Sequence, residues 1–317
     1  MIDKFDVDDQ TPAVAQMAQE WPMIDALVGG THTIRGQANR FLPKFPKEGE
    51  DSYKSRLGTA TLFPAFSRTC SVMAAKPLAR PIQIEALPAE FEPWLEDIDR
   101  QKTNLHGFVS QTLLDCMHKG LSGVLVEYPQ ADGVVTKAQE RQTGVRPYLT
   151  RYPAETILGW RTRMGVGGAE LIQLRLLETV EEPDGEFGVK SIQQVRVLYP
   201  GQWQIWRKKE QVSVIGEEWA LWQEGVTTLD KIPFVFFYGV KKSFGLGQSP
   251  LIDLAYQNVE HYQSASDQQT ILHVARVPIL FAKGFSSTDT LVVGAASAAQ
   301  SQNTDADLTY VEQLYCY

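Results

Sequence analysis

Between Pro250 and Pro278 the chain reads LIDLAYQNVEHYQSASDQQTILHVARV, with no proline and no glycine. This stretch constrains the fold more than any other. Pro250 sits where the first turn of a helix accepts it, with Ser249 before it as cap. The pattern predicts one helix from Leu251 to Ala275, roughly 37 Å long at about 1.5 Å per residue. Leu251, Ala255, Val259 and Tyr262 recur at helical spacing and form an apolar stripe. The middle, QSASDQQT at 263–270, offers almost nothing to bury. Asp253, Glu260 and Asp267 recur every seven residues. Seven residues fall about 20° short of two turns, so the three carboxylates line one face. A helix embedded in a single globular core does not have this profile. A helix standing between identical neighbours, with one side on a water-filled space, does. The plainer alternative is an amphipathic surface helix with its charges in solvent.

The chain has 317 residues, enough for about two domains. At 43% hydrophobic and 21% charged, it has ample apolar material for a core. A formal net charge of −8 argues against gripping nucleic acid by phosphate neutralisation. It does not argue against a conduit through which DNA slides. Cys70, Cys116 and Cys316 are too few and too scattered for a disulfide framework or a zinc site. Cys116 lies in an apolar helical run and is expected to be buried. No apolar run approaches the ~18 residues of a membrane span. The start, MIDKFDVDDQ, is acidic and polar, unlike a signal peptide. These features predict a soluble, intracellular protein.

The elements point to an α+β fold. Thr11-Pro12 opens a helix that Pro22 restarts and Gly29-Gly30 stops. FLPKFPKEG at 41–49 is a proline-punctuated loop, and helix resumes near Asp51 until Pro64. Between Pro81 and Pro88, PIQIEAL alternates like a short strand. Phe91 to Asp99 reads as helical. Asn104 caps the clearest helix, with Leu105, Phe108, Val109, Thr112, Leu113, Cys116 and Met117 on one face and Gly120 at its end. GVLVEY (123–128) comes next as a buried strand. Residues 146–240 turn β-rich, with strands expected at Tyr148–Tyr152, Leu171–Thr179, Ile192–Leu198, Trp203–Trp206, Gln211–Ile215, Glu218–Trp222 and Pro233–Tyr238. GVGG (165–168) and EEPDGEFG (181–188) are turn signals, so a meander of antiparallel hairpins is expected. Three segments result: 1–145, mainly helical; 146–245, β-rich; and 246–317, the long helix and the residues after it.

Catalytic signals are weak. Asp97 and Asp99 are two carboxylates, as in metal or acid–base sites, but two residues apart on a helix they face different directions. On a loop such residues commonly cap the next turn. GVGG lacks the third glycine of a dinucleotide fingerprint, no GxxxxGK[ST] occurs, and GLGQS (245–249) is not GxSxG. His32, His106, His118, His261 and His273 share no ligand spacing. No catalytic residue, metal or cofactor is assigned. Trp203 with Trp206, and Trp219 with Trp222, lie three apart, which puts the members of each pair on opposite faces of a strand.

Five stretches carry a resemblance: ALVGGTHTIRGQANRFLPKFPKEGEDSYKSRL (26–57), FPAFSRTC (63–70), DIDRQKTNLHGFVSQTLLDCMHKGLSGVLVEYP (97–129), RPYLTRYPAETILGW (146–160) and GQSPLIDLAYQNVEHYQSASDQQTILHVARVPILF (247–281). In this order the chain resembles the portal proteins of tailed bacteriophages, in a branch long catalogued as a domain of unknown function. The resemblance implies one subunit of a homo-oligomeric ring, usually dodecameric, at a capsid vertex. It implies docking of the terminase large subunit, head-completion or tail adaptor proteins and capsid proteins. Double-stranded DNA would pass through without sequence recognition, during packaging and ejection. The early helices and the β-rich middle would form the wing, Leu251–Ala275 a projecting stem helix, and Arg276 onward the start of the clip. The protein would be no enzyme, ATP hydrolysis belonging to the terminase, and would sit in the virion, or in the host cytoplasm during assembly. Asp253, Glu260 and Asp267 then become candidate channel-lining, DNA-repelling residues. Family members continue beyond Tyr310-Val311-Glu312 into further helices, whereas here QLYCY ends the chain, which reads as an incomplete copy. The alternative from another class is an α+β hydrolase with Asp97 or Asp99 in a cleft below the β-rich part.

Overall fold

The computed structural model describes residues 6–129, 144–208 and 218–276. Residues up to Ser266 belong to one compact unit and those from Asp267 to a second. The class is α+β, with every strand pairing antiparallel among the described residues.

The helical part begins with α1 (Pro12–Ala18), α2 (Trp21–Val28) and α3 (Gly30–Gly36). Pro12 and Pro22 each fall in a first turn, where a missing N–H costs nothing. The proline loop leads to α4 (Glu50–Thr59) and, after Pro64, α5 (Ala65–Ala75). In α4, Arg56 is 6% exposed and forks onto Glu48 at 2.8 Å and the Pro43 carbonyl at 2.7 Å. That fork pins the loop to the helix. The predicted strand after Pro81 does not form, and Ile82 and Ile84 stand exposed. Alternation supplies only a face; a strand also needs a neighbour, and none among the described residues pairs with this segment. Between Phe91 and Asp99 only a 3-10 turn forms, at Glu92–Glu96.

Helix α6 (Leu105–Lys119) has the ends that its sequence specifies. The Asn104 side chain accepts from the Gly107 N–H, and Gly120 closes the helix at φ 79°. Gly120 is required twice over, because a Cβ there would lie 2.1 Å from the Gln248 carbonyl carbon. Phe108, Thr112 and Cys116 are buried, whereas Leu113 is only half-buried. Met117, also on the predicted face, packs on the core, and Leu114, which the predicted face leaves out, packs there as well.

Strand β1 (Leu121–Glu127) begins directly after Gly120 and centres a three-stranded sheet. Its neighbours are β2 (Tyr148–Pro153) and β8 (Phe234–Tyr238). A five-stranded meander lies between them in sequence: β3 (Ile157–Gly165), β4 (Gly168–Asp184), β5 (Gly188–Tyr199), β6 (Gln202–Lys208) and β7 (Trp219–Val226). GVGG forms the β3–β4 turn, with Gly165 opposite Gly168, and EEPDGEFG the β4–β5 turn, with Asp184 opposite Gly188. The sequence pattern does not predict β3, because ILGWRTRMG breaks its alternation with a glycine and a polar run. The predicted strand Gln211–Ile215 lies outside the described residues. A short ladder of β9 (Val240–Ser243) and β10 (Leu246–Gln248) leads into α7 (Ile252–Arg276).

One apolar cluster joins α1–α3 and α5 to β1, β4 and the start of α7, with Ile24, Phe66, Leu121, Leu174 and Tyr262 among its buried members. Ionic contacts tie the two larger sheets together. Arg196 of β5 reaches Glu127 of β1 at 3.1 Å and Glu178 of β4 at 2.8 Å. Tyr152 of β2 donates to Glu178 at 2.6 Å, and Tyr148 to Glu127 at 2.9 Å. Burial, then the neighbouring Glu127 carboxylate, pushes the Tyr148 phenol up to about 12. Burial opposes the Arg196 charge, but Glu178, Tyr152 and Glu127 outweigh it and raise its pKa further. A paired, hydrogen-bonded cluster of this kind fixes how the sheets meet, since removing one member would strand the others.

Candidate functional site

The site singled out by the sequence is the polar face of α7. Its start is anchored by Ser249, which is 3% exposed. The Ser249 hydroxyl accepts from the Leu251 N–H at 3.2 Å and donates to the Met117 carbonyl at 2.6 Å. The predicted cap therefore also bonds a carbonyl in the last turn of α6, which the Cys70 thiol reaches as well. Along α7, Ile252, Ala255, Asn258, Tyr262 and Ser266 are buried. Asn258 links the helix to the α5 region: its Oδ1 accepts from the Phe66 N–H at 2.9 Å, and its Nδ2 donates to the Phe63 carbonyl at 2.9 Å. Asn258 thus caps α5 across the fold, in place of the proline at that N-terminus. The Gln263 amide donates to the Phe41 carbonyl at 3.0 Å. The middle of α7 is consequently less bare than its composition predicts: Ser266 is 2% exposed.

The opposite side carries the acids. Asp253 and Glu260 are exposed and Asp267 is half-exposed. Gln257 and Ser264, both exposed, fall on the same side at helical spacing. The structure thus separates Asp253 and Glu260 from the stripe of Ala255, Val259 and Tyr262, as the seven-residue spacing requires. Histidine plays a different part here: His261 packs its ring 5.8 Å from that of Phe63.

The carboxylates considered for chemistry are used by their own loop. Asp97 accepts from the Lys102 N–H at 2.7 Å and pairs with Arg146 at 3.0 Å. Asp99 accepts from the Gln101 N–H at 2.8 Å and the Thr103 N–H at 3.2 Å. Burial would raise the Asp99 pKa, but hydrogen bonds from the Thr103 side chain and these amides outweigh it and hold the carboxyl low. Neither carboxylate lines the cavity that lies over β3–β7. Among the same residues, no group of three or more His, Cys, Asp or Glu is placed to hold a metal ion.

Two features lay outside the reach of sequence inspection. Lys119, at the end of α6, is enclosed by Asp25 at 2.8 Å and Glu155 at 3.1 Å. Burial opposes its charge, but these two bridges outweigh burial and raise its pKa. Next to it, burial and the Lys119 charge hold the His118 pKa below its ordinary 6.5. The second is a cavity of about 540 Å³ over one face of β3–β7, closed on one side by residues from Asp6 to Pro12. Strand alternation places Arg161, Arg175, Val197, Gln204 and Trp206 on that face. Trp219 is buried and Trp222 is 64% exposed, so that pair does divide between opposite faces.

Residues 250–314 match a family described as a domain of unknown function, DUF4055. The match begins at Pro250, includes all of α7 and extends past its end. Comparison with curated proteins finds none that matches. No helix among the described residues is long and apolar enough to cross a membrane.

Proposed function

We propose that this chain is a portal subunit of a tailed bacteriophage, part of a ring at the capsid vertex that serves DNA packaging and ejection. The observation that carries the proposal is α7. It is a long, unbroken helix anchored at its start by Ser249 and Asn258, with Asp253 and Glu260 exposed on the side opposite its packing. The DUF4055 match falls on this element, and the resemblance of residues 247–281 to a portal stem helix falls there too. A ring of such helices turns rows of carboxylates toward a central space. Phosphates passing there are repelled, so a duplex slides without being held. On this view the β-rich segment and the early helices are wing, the partners are other copies, the terminase, adaptor and capsid proteins, and the chain performs no catalysis. Asp97 and Asp99 favour no competing hydrolase, because both are engaged in ordering residues 97–103.

Assembly tests the proposal. Electron micrographs and native mass spectrometry of the purified chain should give closed rings whose mass is a whole multiple of 35.5 kDa. Exclusively monomeric particles at high protein concentration would overturn it.

A further inference from the structure

We propose that the cavity over the five-stranded sheet is a docking site for an extended acidic peptide segment of another protein. The inference does not depend on the portal assignment. Its volume, about 540 Å³, falls inside the range of roughly 300–1,000 Å³ typical of ligand sites. Its lining holds polar groups that are not satisfied internally. Trp219 is 6% exposed, and its indole N–H is buried without an acceptor. A buried donor left unpaired carries its full desolvation cost, which an incoming oxygen would relieve. Arg161, exposed at the rim, makes no hydrogen bond or ion pair among the described residues. Trp206, half-buried, lies on the same face as the buried Val197 and presents apolar surface.

The protein's own N-terminal strap indicates what such a surface accepts. Arg175 Nη1 donates to the main-chain carbonyls of Asp6 at 3.1 Å and Val7 at 2.8 Å, and the Thr11 N–H bonds the Leu158 carbonyl at 2.9 Å. Val7 packs on the cluster that contains Val195, Val197 and Trp219. A segment that offers main-chain carbonyls and one apolar side chain, Asp6-Val7, therefore already lies along one side of the cavity. A second segment, extended and carrying acids as well, would place a carboxylate on the unpaired Arg161, a main-chain carbonyl on the Trp219 N–H and an apolar side chain on Trp206. Arg–carboxylate pairing supplies the charge preference and main-chain carbonyls the extended geometry.

The probe is a fluorescein-labelled peptide, DVDDVDD, built by repeating the strap's own pattern, titrated against the full chain. Anisotropy should rise, tryptophan emission should be quenched, and the lysine counterpart KVKKVKK should do neither. Arg161→Gln should weaken binding about tenfold or more without moving the melting midpoint, since Arg161 is exposed and unpaired. Trp219→Phe should weaken it several-fold. No binding at millimolar peptide, or equal binding by the Arg161→Gln variant, would overturn the proposal. Complete displacement of the peptide by inorganic triphosphate at equal concentration would also overturn it, by identifying a general anion site.

Discussion

At the scale of single residues, two positions combine conflicting demands. Gly120 must be left-handed, and it must let the Gln248 backbone pass where a Cβ would be. Gly120→Ala should therefore cost more than about 2 kcal/mol, the left-handed penalty alone being about 1–2; urea unfolding measures it. His118 is held neutral by burial and by the Lys119 charge, although Asp25 and Glu155 act in the opposite sense. Its folded pKa is depressed below 6.5, so the unfolded chain takes up the proton first as pH falls. The stabilisation is intact above 6.5 and is lost as pH falls through the depressed folded value. The melting midpoint of the wild type should thus drop further between about pH 7.5 and 5.5 than that of His118→Phe. An equal drop in both would mean that His118 titrates as in the unfolded chain.

At the scale of elements, the fold depends on helix ends being completed by distant side chains. Asn258 satisfies the Phe66 N–H and the Phe63 carbonyl together while nearly fully buried. Asn258→Ala removes both partners and should destabilise by about 1–3 kcal/mol. Asn258→Asp should not restore the loss, because it keeps the acceptor and deletes the donor to Phe63. Chemical denaturation of the three proteins measures the differences. Ser249 plays the reciprocal part between α7 and α6.

At the scale of the whole molecule, the proposed channel turns on charge. Replacing Asp253, Glu260 and Asp267 by lysine changes each subunit by six charges, from −3 to +3. In an assembled ring this should convert a repelling wall into one that retains duplex DNA at low salt and releases it at high salt. Packaging should fall with it. Filter binding across a salt series, with a packaging assay alongside, measures both. Normal packaging with no added DNA retention would remove these three residues from the channel while leaving the ring itself possible.

The sequence by itself determined the elements whose signals are local. The caps Asn104 and Gly120, the turns GVGG and EEPDGEFG, and the proline-free run after Pro250 each act within a few residues, and each element they mark is present. The seven-residue spacing likewise set Asp253 and Glu260 opposite the buried stripe. Only the tertiary structure decided that Leu113 of α6 stays half-buried, why Ile82 and Ile84 form no strand, and that Ser266 is covered. It alone brought Glu127, Glu178 and Arg196 together, and left Trp219 without an acceptor above the sheet. The reason is physical: caps and turns are satisfied by neighbours along the chain, whereas burial, ion pairing and cavity walls depend on what another segment brings near.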